Sequence, residues 1–280
     1  MKFTKMHGCG NDYIYIDCFK ENVTNESAAA IKLSDRHFGI GGDGIILIKK
    51  GTKADFEMVM YNPDGSRAEM CGNAIRCVAK YVYDNKYVDS TAFSIESMGA
   101  VKYIHVTVEN DKVVTAKVDM GAPILKSSDV PVNSVSDKVI SEKIIVGGRE
   151  FNMTCVSMGN PHAVMFIDEH PKDFDLDFYG SKFECNTEVF PNKVNAEFAK
   201  IIDRNNIEMR VYERGTGETL ACGTGTCATV VAAILNGYVD SDVTVHLVGG
   251  DLHIHWSGDE NDSVFMTGPA TYVFSGEIDL

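Results

Sequence analysis

Several features that would announce a partner or a metal are missing. None of the eight cysteines forms a C-x-x-C pair, and the spacings Cys71/Cys77 and Cys222/Cys227 are too wide for a zinc ligand pair. Basic charge is scarce: 26 Lys and Arg against 40 Asp and Glu give a formal net charge of −14. That balance argues against nucleic acid or an anionic membrane as partner, because both attract basic patches. The longest clean apolar run, Val230–Leu235, is far too short to span a bilayer. The N-terminal MKFTKMHGCGNDY lacks the apolar core of a signal peptide, so a cytoplasmic location is expected. In that setting the cysteines read as free thiols and not as a disulfide framework. GTGETLACGTGT has no phosphate-loop lysine. Gly39-Ile-Gly41-Gly42-Asp43-Gly44 spells G-x-G-x-x-G, but polar DRHF precedes it and strand-like IILIKK follows, which excludes a dinucleotide fingerprint. His253 and His255 could share a strand face; with no third ligand nearby they read as surface histidines.

The chain does contain a repeat. Met58–Gly72, MVMYNPDGSRAEMCG, and Met209–Gly223, MRVYERGTGETLACG, align without a gap. Met58 falls on Met209, Tyr61 on Tyr212, Cys71 on Cys222 and Gly72 on Gly223. Upstream, Gly10-Asn11 echoes Gly159-Asn160 at a similar offset. In both copies the order is Gly-Asn, strand, polar turn, Cys-Gly, apolar segment. Phe56–Tyr61 and Ile207–Tyr212 read as strands, and Asn73–Tyr83 and Gly225–Leu235 as helices apolar on most sides, hence core helices. Further strands are expected at Tyr13–Asp17, Ile45–Lys49, Val101–Val108, Val113–Met120, Met153–Ser157, Val243–Val248, Leu252–Trp256 and Thr271–Phe274. With 44% hydrophobic and 24% charged residues over 280 positions, two ordinary globular domains are affordable. The expected boundaries are 1–120 with a C-terminal strand at about 268–280, and 121–267, divided near Gly121-Ala-Pro123.

Cys71 and Cys222 each stand just before a helix start. Unpaired N–H groups and partial positive charge there would lower a thiol pKa. The N–H groups of Gly72, Asn73, Gly223 and Thr224 would also hold a carboxylate. If the duplication brings both helix starts together, one carboxylate lies between two thiols. Such a site suits removal of a proton from an α-carbon: fixed dipoles stabilise the charge spreading into the carboxylate, and thiolate and thiol serve opposite faces. Cys9, Cys18, Cys77, Cys155, Cys185 and Cys227 read as ordinary small core residues.

Six motifs in order carry a resemblance over nearly the whole chain: MHGCGNDY (6–13), DRHFGIGGDG (35–44), YNPDGSRAEMCGNAIRC (61–77), MGNPHAV (158–164), FPNKVNAEF (190–198) and YERGTGETLACGTGTC (212–227). The chain resembles diaminopimelate epimerase. The resemblance implies an α/β (α+β) fold of two pseudo-symmetric strand-rich domains, each a barrel-like sheet around a central helix, with the active site in the interdomain cleft. It implies interconversion of LL- and meso-diaminopimelate in lysine and peptidoglycan precursor biosynthesis, no pyridoxal phosphate or other cofactor, no metal, and a homodimer. Cys71 and Cys222 would be the catalytic pair. Asn11 and Asn73 would hold the reacting end of the substrate; Asn62, Asn160, Asn195 and Arg214 the distant end; His162 and Glu213 would support the thiols. Gly44 departs from the pattern, standing where many members carry glutamine. A same-fold racemase of another amino acid would leave Arg214 without a second carboxylate to grip, and a non-catalytic amino-acid-binding protein would not need two cysteines in matching register.

Overall fold

Strand signals dominate the chain, and the computed structural model, which describes residues 1–68 and 70–280, is a strand-rich α+β structure. It divides into two units, Met1–Asp119 with Thr267–Leu280, and Met120–Met266. The first holds β1 (Lys2–Gly8), β2 (Asn11–Asp17), α1 (Glu26–Ser34), β3 (Ile45–Lys50), β4 (Phe56–Tyr61), β5 (Arg67–Ala68), α2 (Gly72–Asp84), β6 (Ala92–Ser97), β7 (Ala100–Glu109) and most of β8 (Lys112–Gly121). The second holds β9 (Glu142–Val146), β10 (Arg149–Ser157), β11 (Pro161–Phe166), α3 (Leu176–Glu184), β12 (Asn195–Asp203), β13 (Asn206–Glu213), β14 (Gly217–Thr219), α4 (Gly223–Leu235), β15 (Asp242–Leu247) and β16 (Gly250–His255). The chain leaves it along β17 (Val264–Pro269), and β18 (Thr271–Glu277) belongs to the first unit.

The two units share one topology. In the first, β1 pairs antiparallel with β2, β2 parallel with β3, and β3 antiparallel with β4. Strand β4 then pairs antiparallel with β5 and parallel with β6, and β6 antiparallel with β7. Replacing β1–β7 by β10–β16 in order reproduces every pairing and every direction. The four parallel pairs require crossovers, which α1 and α2 supply in the first unit and α3 and α4 in the second. Outside the pattern, β18 flanks β1 and β9 flanks β10, both antiparallel.

Helices α2 and α4 are the centres of their units. Each has 13 residues, and 12 of those in α2 are buried, as are 10 in α4. Helix α2 packs on β1, β2 and β7, so the first sheet curls around it; α4 packs on β10, β11, β12, β15 and β16. Both helices end on an asparagine whose amide returns to the carbonyl four residues earlier, Asn85 to Tyr81 (2.9 Å) and Asn236 to Ala232 (2.8 Å). A left-handed residue follows each, Lys86 (φ 62°) and Gly237 (φ 73°), which stops the helix. The outer faces of the sheets are covered by α1, over Ile14, Ile16, Ile45 and Leu47, and by α3, whose Phe183 joins a cluster with Phe151, Phe174 and Phe198.

The strands expected from sequence are present, and eight more lie among the described residues where polar residues, proline or a turn hid the pattern: β1, β5, β6, β9, β11, β12, β14 and β17. Helix α2 also departs from a purely apolar reading, since Arg76, Lys80 and Asp84 are buried in it. Lys80 pairs with Asp84 at 2.9 Å and donates to the Val113 carbonyl.

Candidate active site

Cys71 is the N-cap of α2, its backbone extended at φ −117°, ψ 117°. Its thiol is half-buried and donates to Asn11 Oδ1 at 3.2 Å. Asn11 opens β2 after the tight Cys9-Gly10 turn, and its amide has only one sensible orientation. Its Nδ2 donates to Asp43 Oδ2 (2.7 Å), and a carboxylate can only accept. Arg36 in turn holds Asp43 (2.9 Å) and Asp12 (2.8 Å). Asn73, the second residue of α2, is fixed from the other side: the buried Arg76 donates to its Oδ1 (2.9 Å), so its Nδ2 faces Asn11 Oδ1 at 3.5 Å. Asn62 sits in the turn after β4 and donates to Ser66 Oγ at 3.0 Å. At Gly44, φ is 145° and a Cβ would stand 2.2 Å from the Tyr61 carbonyl oxygen, so this backbone excludes a glutamine there.

Cys222 is the N-cap of α4 with nearly the same backbone, φ −114°, ψ 110°. Its sulfur accepts from the Gly225 N–H (3.4 Å) and lies 3.5 Å from Thr224 Oγ1. The helix-start argument for a lowered thiol pKa does not hold for this cysteine. Burial pushes its thiol well above the ordinary value, and the carboxylates of Glu213 and Glu197 push the same way. These effects exceed the stabilisation of a thiolate by one N–H and one hydroxyl. Glu213, at the end of β13, has its own carboxyl raised by burial, although Thr219 donates to it. Cys77, by contrast, is an inert core thiol, pushed up to about 11 by burial.

His162 on β11 is fully buried, with Nδ1 2.7 Å from Glu197 Oε1 and Nε2 3.0 Å from Asn160 Oδ1. Its ionic partner is therefore Glu197. Asn195 opens β12 and ties two strand ends: Nδ2 donates to the Pro161 carbonyl (2.9 Å) and Oδ1 accepts from the Arg214 N–H (2.9 Å). Arg214 is exposed, with Nη1 3.1 Å from the Asn192 carbonyl. The adjoining Gly215 N–H is held by the buried Glu184, which also pairs with Lys193.

Sequence reasoning missed Asp43, Arg76, Glu184 and Glu197. The available signal was a charged residue inside an otherwise apolar segment, as in Asn195-Ala-Glu-Phe-Ala. On β16, His253 and His255 do share a face, and both reach Asp242 (3.4 and 3.0 Å). Among the described residues no three His, Cys, Asp or Glu side chains converge as metal ligands would, and no helix is long and apolar enough to cross a membrane. Each unit thus offers a thiol at a helix N-terminus with oriented amides or carboxyls around it, a setting for proton transfer beside a bound anion.

Comparison with known proteins agrees with this chemistry. The family described as diaminopimelate epimerase matches residues 3–126 and 154–273. A diaminopimelate epimerase of Agathobacter rectalis is 56% identical over the full length of both chains. One of Methanococcus maripaludis is 54% identical, again over both full lengths. Among solved structures, a PhzF-family phenazine biosynthesis protein of Bacillus anthracis superposes with a TM-score of 0.71 at 15% identity, covering 100% of this chain and 99% of that one. A hydroxyproline epimerase of Agrobacterium vitis gives 0.70 at 12% identity, covering 99% and 90%. At such identities these two structures speak for the fold alone.

Proposed function

The chain belongs to the diaminopimelate epimerase family and is an isomerase, an amino-acid epimerase; from that premise we propose that it interconverts LL- and meso-diaminopimelate by two-base proton transfer between Cys71 and Cys222. The observation that carries the reading is the duplicated cap: two cysteines in the same register of one repeated strand–turn–helix unit, each opening a buried helix. Inversion at carbon needs a base on one face and an acid on the other, and a duplicated thiol supplies both.

In this mechanism one cysteine takes the α-proton as thiolate while the other, as thiol, protonates the opposite face. Cys222 begins as the acid in one direction, because burial, Glu213 and Glu197 disfavour its anion. The first-turn N–H groups at Gly72, Asn73, Gly223 and Thr224 hold the α-carboxylate and stabilise charge that spreads into it. Asn11 and Asn73 bind the reacting end. Arg214, with Asn62, Asn160 and Asn195, recognises the distant amino-acid end, where a guanidinium suits a carboxylate. His162 and Glu213 support the thiols. We place the enzyme in the cytoplasm as a homodimer serving lysine and peptidoglycan precursor synthesis, with no cofactor or metal in the reaction. Purified protein incubated with LL-diaminopimelate and chelator, without pyridoxal phosphate, should yield the meso isomer on chiral separation. Activity that returns only on addition of metal or cofactor would refute the reading.

A further inference from the structure

Glu197 is a charged residue in an unusual place. It lies in the middle of β12, fully buried, with Oε1 on His162 Nδ1 and no hydrogen-bond partner for Oε2 among the described residues. An orphaned carboxylate oxygen in a core is costly, so its retention calls for a reason.

The other unit shows that the fold does not require it. Aligning Gly10-Asn11 with Gly159-Asn160 puts Tyr13 at the place of His162. In the strand registers, Tyr15 faces Ile46 and Val164 faces Glu197, so Ile46 occupies the place of Glu197. The same two-strand scaffold is therefore built once with a tyrosine and an isoleucine and once with a histidine and a glutamate. The difference extends to the neighbouring helix. A Cβ at Gly225 would stand 2.6 Å from Glu197 Oε1, whereas the matching position in α2 is Ala74. A glycine at the α4 start thus accompanies the carboxylate packed against it.

We propose that Glu197 is a positioning residue for the epimerase reaction: it holds His162 with the proton on Nδ1 and thereby reserves Nε2, beside Asn160, as the nitrogen that exchanges protons. A carboxylate oxygen and an amide oxygen both only accept, so Nδ1 donates to Glu197, and Nε2, against Asn160 Oδ1, carries the proton that can be exchanged. The ring cannot then turn or change tautomer without stranding a buried negative charge. The charged or titratable groups facing Glu197 are His162 on β11, Cys155 on β10, Cys222 at the α4 start and Glu213 at the end of β13. The inference rests on the proposed function for its kinetic consequence, but not for its spectroscopic one.

The test is Glu197→Gln, which keeps shape and volume but removes the charge and offers an N–H₂ to the ring. Long-range ¹⁵N–¹H spectra of histidine-labelled wild type should show the His162 proton on Nδ1. In the folded variant that signal should be lost or shared between the two nitrogens. With diaminopimelate, kcat should fall about 10²-fold, the scale of a positioned acid–base group, while KM changes less than about threefold. A wild-type His162 with bare Nδ1 overturns the proposal, and this holds even if the variant does not fold. A folded variant with wild-type spectrum and kcat also overturns it. If wild type does not turn over diaminopimelate, the functional reading fails, and the two spectra alone decide the role of Glu197.

Discussion

Cys71 and Cys222 cap helices of equal length at one place in a repeated topology, yet the chemistry around them differs in kind. In the first unit Asn62 and Ile46 stand at the places of Glu213 and Glu197, Asn11 accepts the Cys71 S–H, and the nearby Tyr13 phenol is pushed well up by burial and by the cysteine itself. Around Cys222 the neighbours are carboxylates, Glu213 and Glu197, countered by N–H and O–H groups at the α4 start. The flanking strands of the second unit thus carry carboxylates where those of the first carry an amide and an isoleucine, and those carboxylates raise Cys222. The residues proposed for the distant end differ as well: Asn62 matches Glu213 and Pro63 matches Arg214.

The largest effect that could break the comparison is loss of either thiol. Cys71→Ala and Cys222→Ala should each lower epimerisation by about 10²–10⁴-fold. Each should still exchange the α-hydrogen of one stereoisomer with solvent, and the preferred stereoisomer should reverse between the two variants. Full activity in either folded variant would make the repeated Cys-Gly structural. Next in size, Arg214→Ala should cost about 1.5–3 kcal/mol in kcat/KM on diaminopimelate, the worth of a charge-assisted hydrogen bond. Its effect on any residual action toward a short amino acid should be far smaller, and equal losses would assign Arg214 to the fold or the reacting centre.

A smaller effect separates the two thiols directly. Glu213→Gln removes one of the carboxylates that raise Cys222, so alkylation of Cys222 by iodoacetamide should move to lower pH while Cys71 is unchanged. Peptide mapping against pH reads both sites in one sample. An unmoved Cys222 profile would mean that burial and Glu197 set its proton affinity without Glu213.

The smallest effect concerns stability. Burial alone would raise the Asp12 carboxyl, but hydrogen bonds from Arg36 and Lys5 outweigh it and hold the group below the usual carboxylate range. A depressed folded pKa contributes stability above the unfolded value, near pH 4, and loses it as pH falls through the folded value. Asp12→Asn should therefore lower Tm by a few degrees at pH 7, with the gap closing below about pH 4. The second unit has no counterpart, since Pro161 stands at that position.

Much of this was legible in the residues. Strand β4 was found to its ends, and both cap cysteines follow from the step between an alternating pattern and an apolar helical one. Strands β11 and β12 were not, because β11 opens on Pro161 and β12 carries Asn195 and Glu197 at buried positions. Local patterns signal apolar burial; they do not show that a buried polar residue will meet a partner from a distant segment. For the same reason the direction of the Cys222 shift was unreadable, since it depends on Glu197, a residue far from Cys222 in the chain. The helix dipole was visible in sequence, and the burial and carboxylates that override it were not.

Isotope labelling in deuterated water tests the two-thiol account most directly. LL-diaminopimelate incubated with wild type should give meso product that carries deuterium at the inverted carbon from the earliest time points. Recovered LL substrate should remain largely unlabelled over the same interval, because the abstracting thiolate holds the substrate's own proton while the opposite thiol has already equilibrated with solvent. Deuterium entering recovered substrate as fast as product, or early product retaining the original proton, would indicate a single exchanging base and contradict the account.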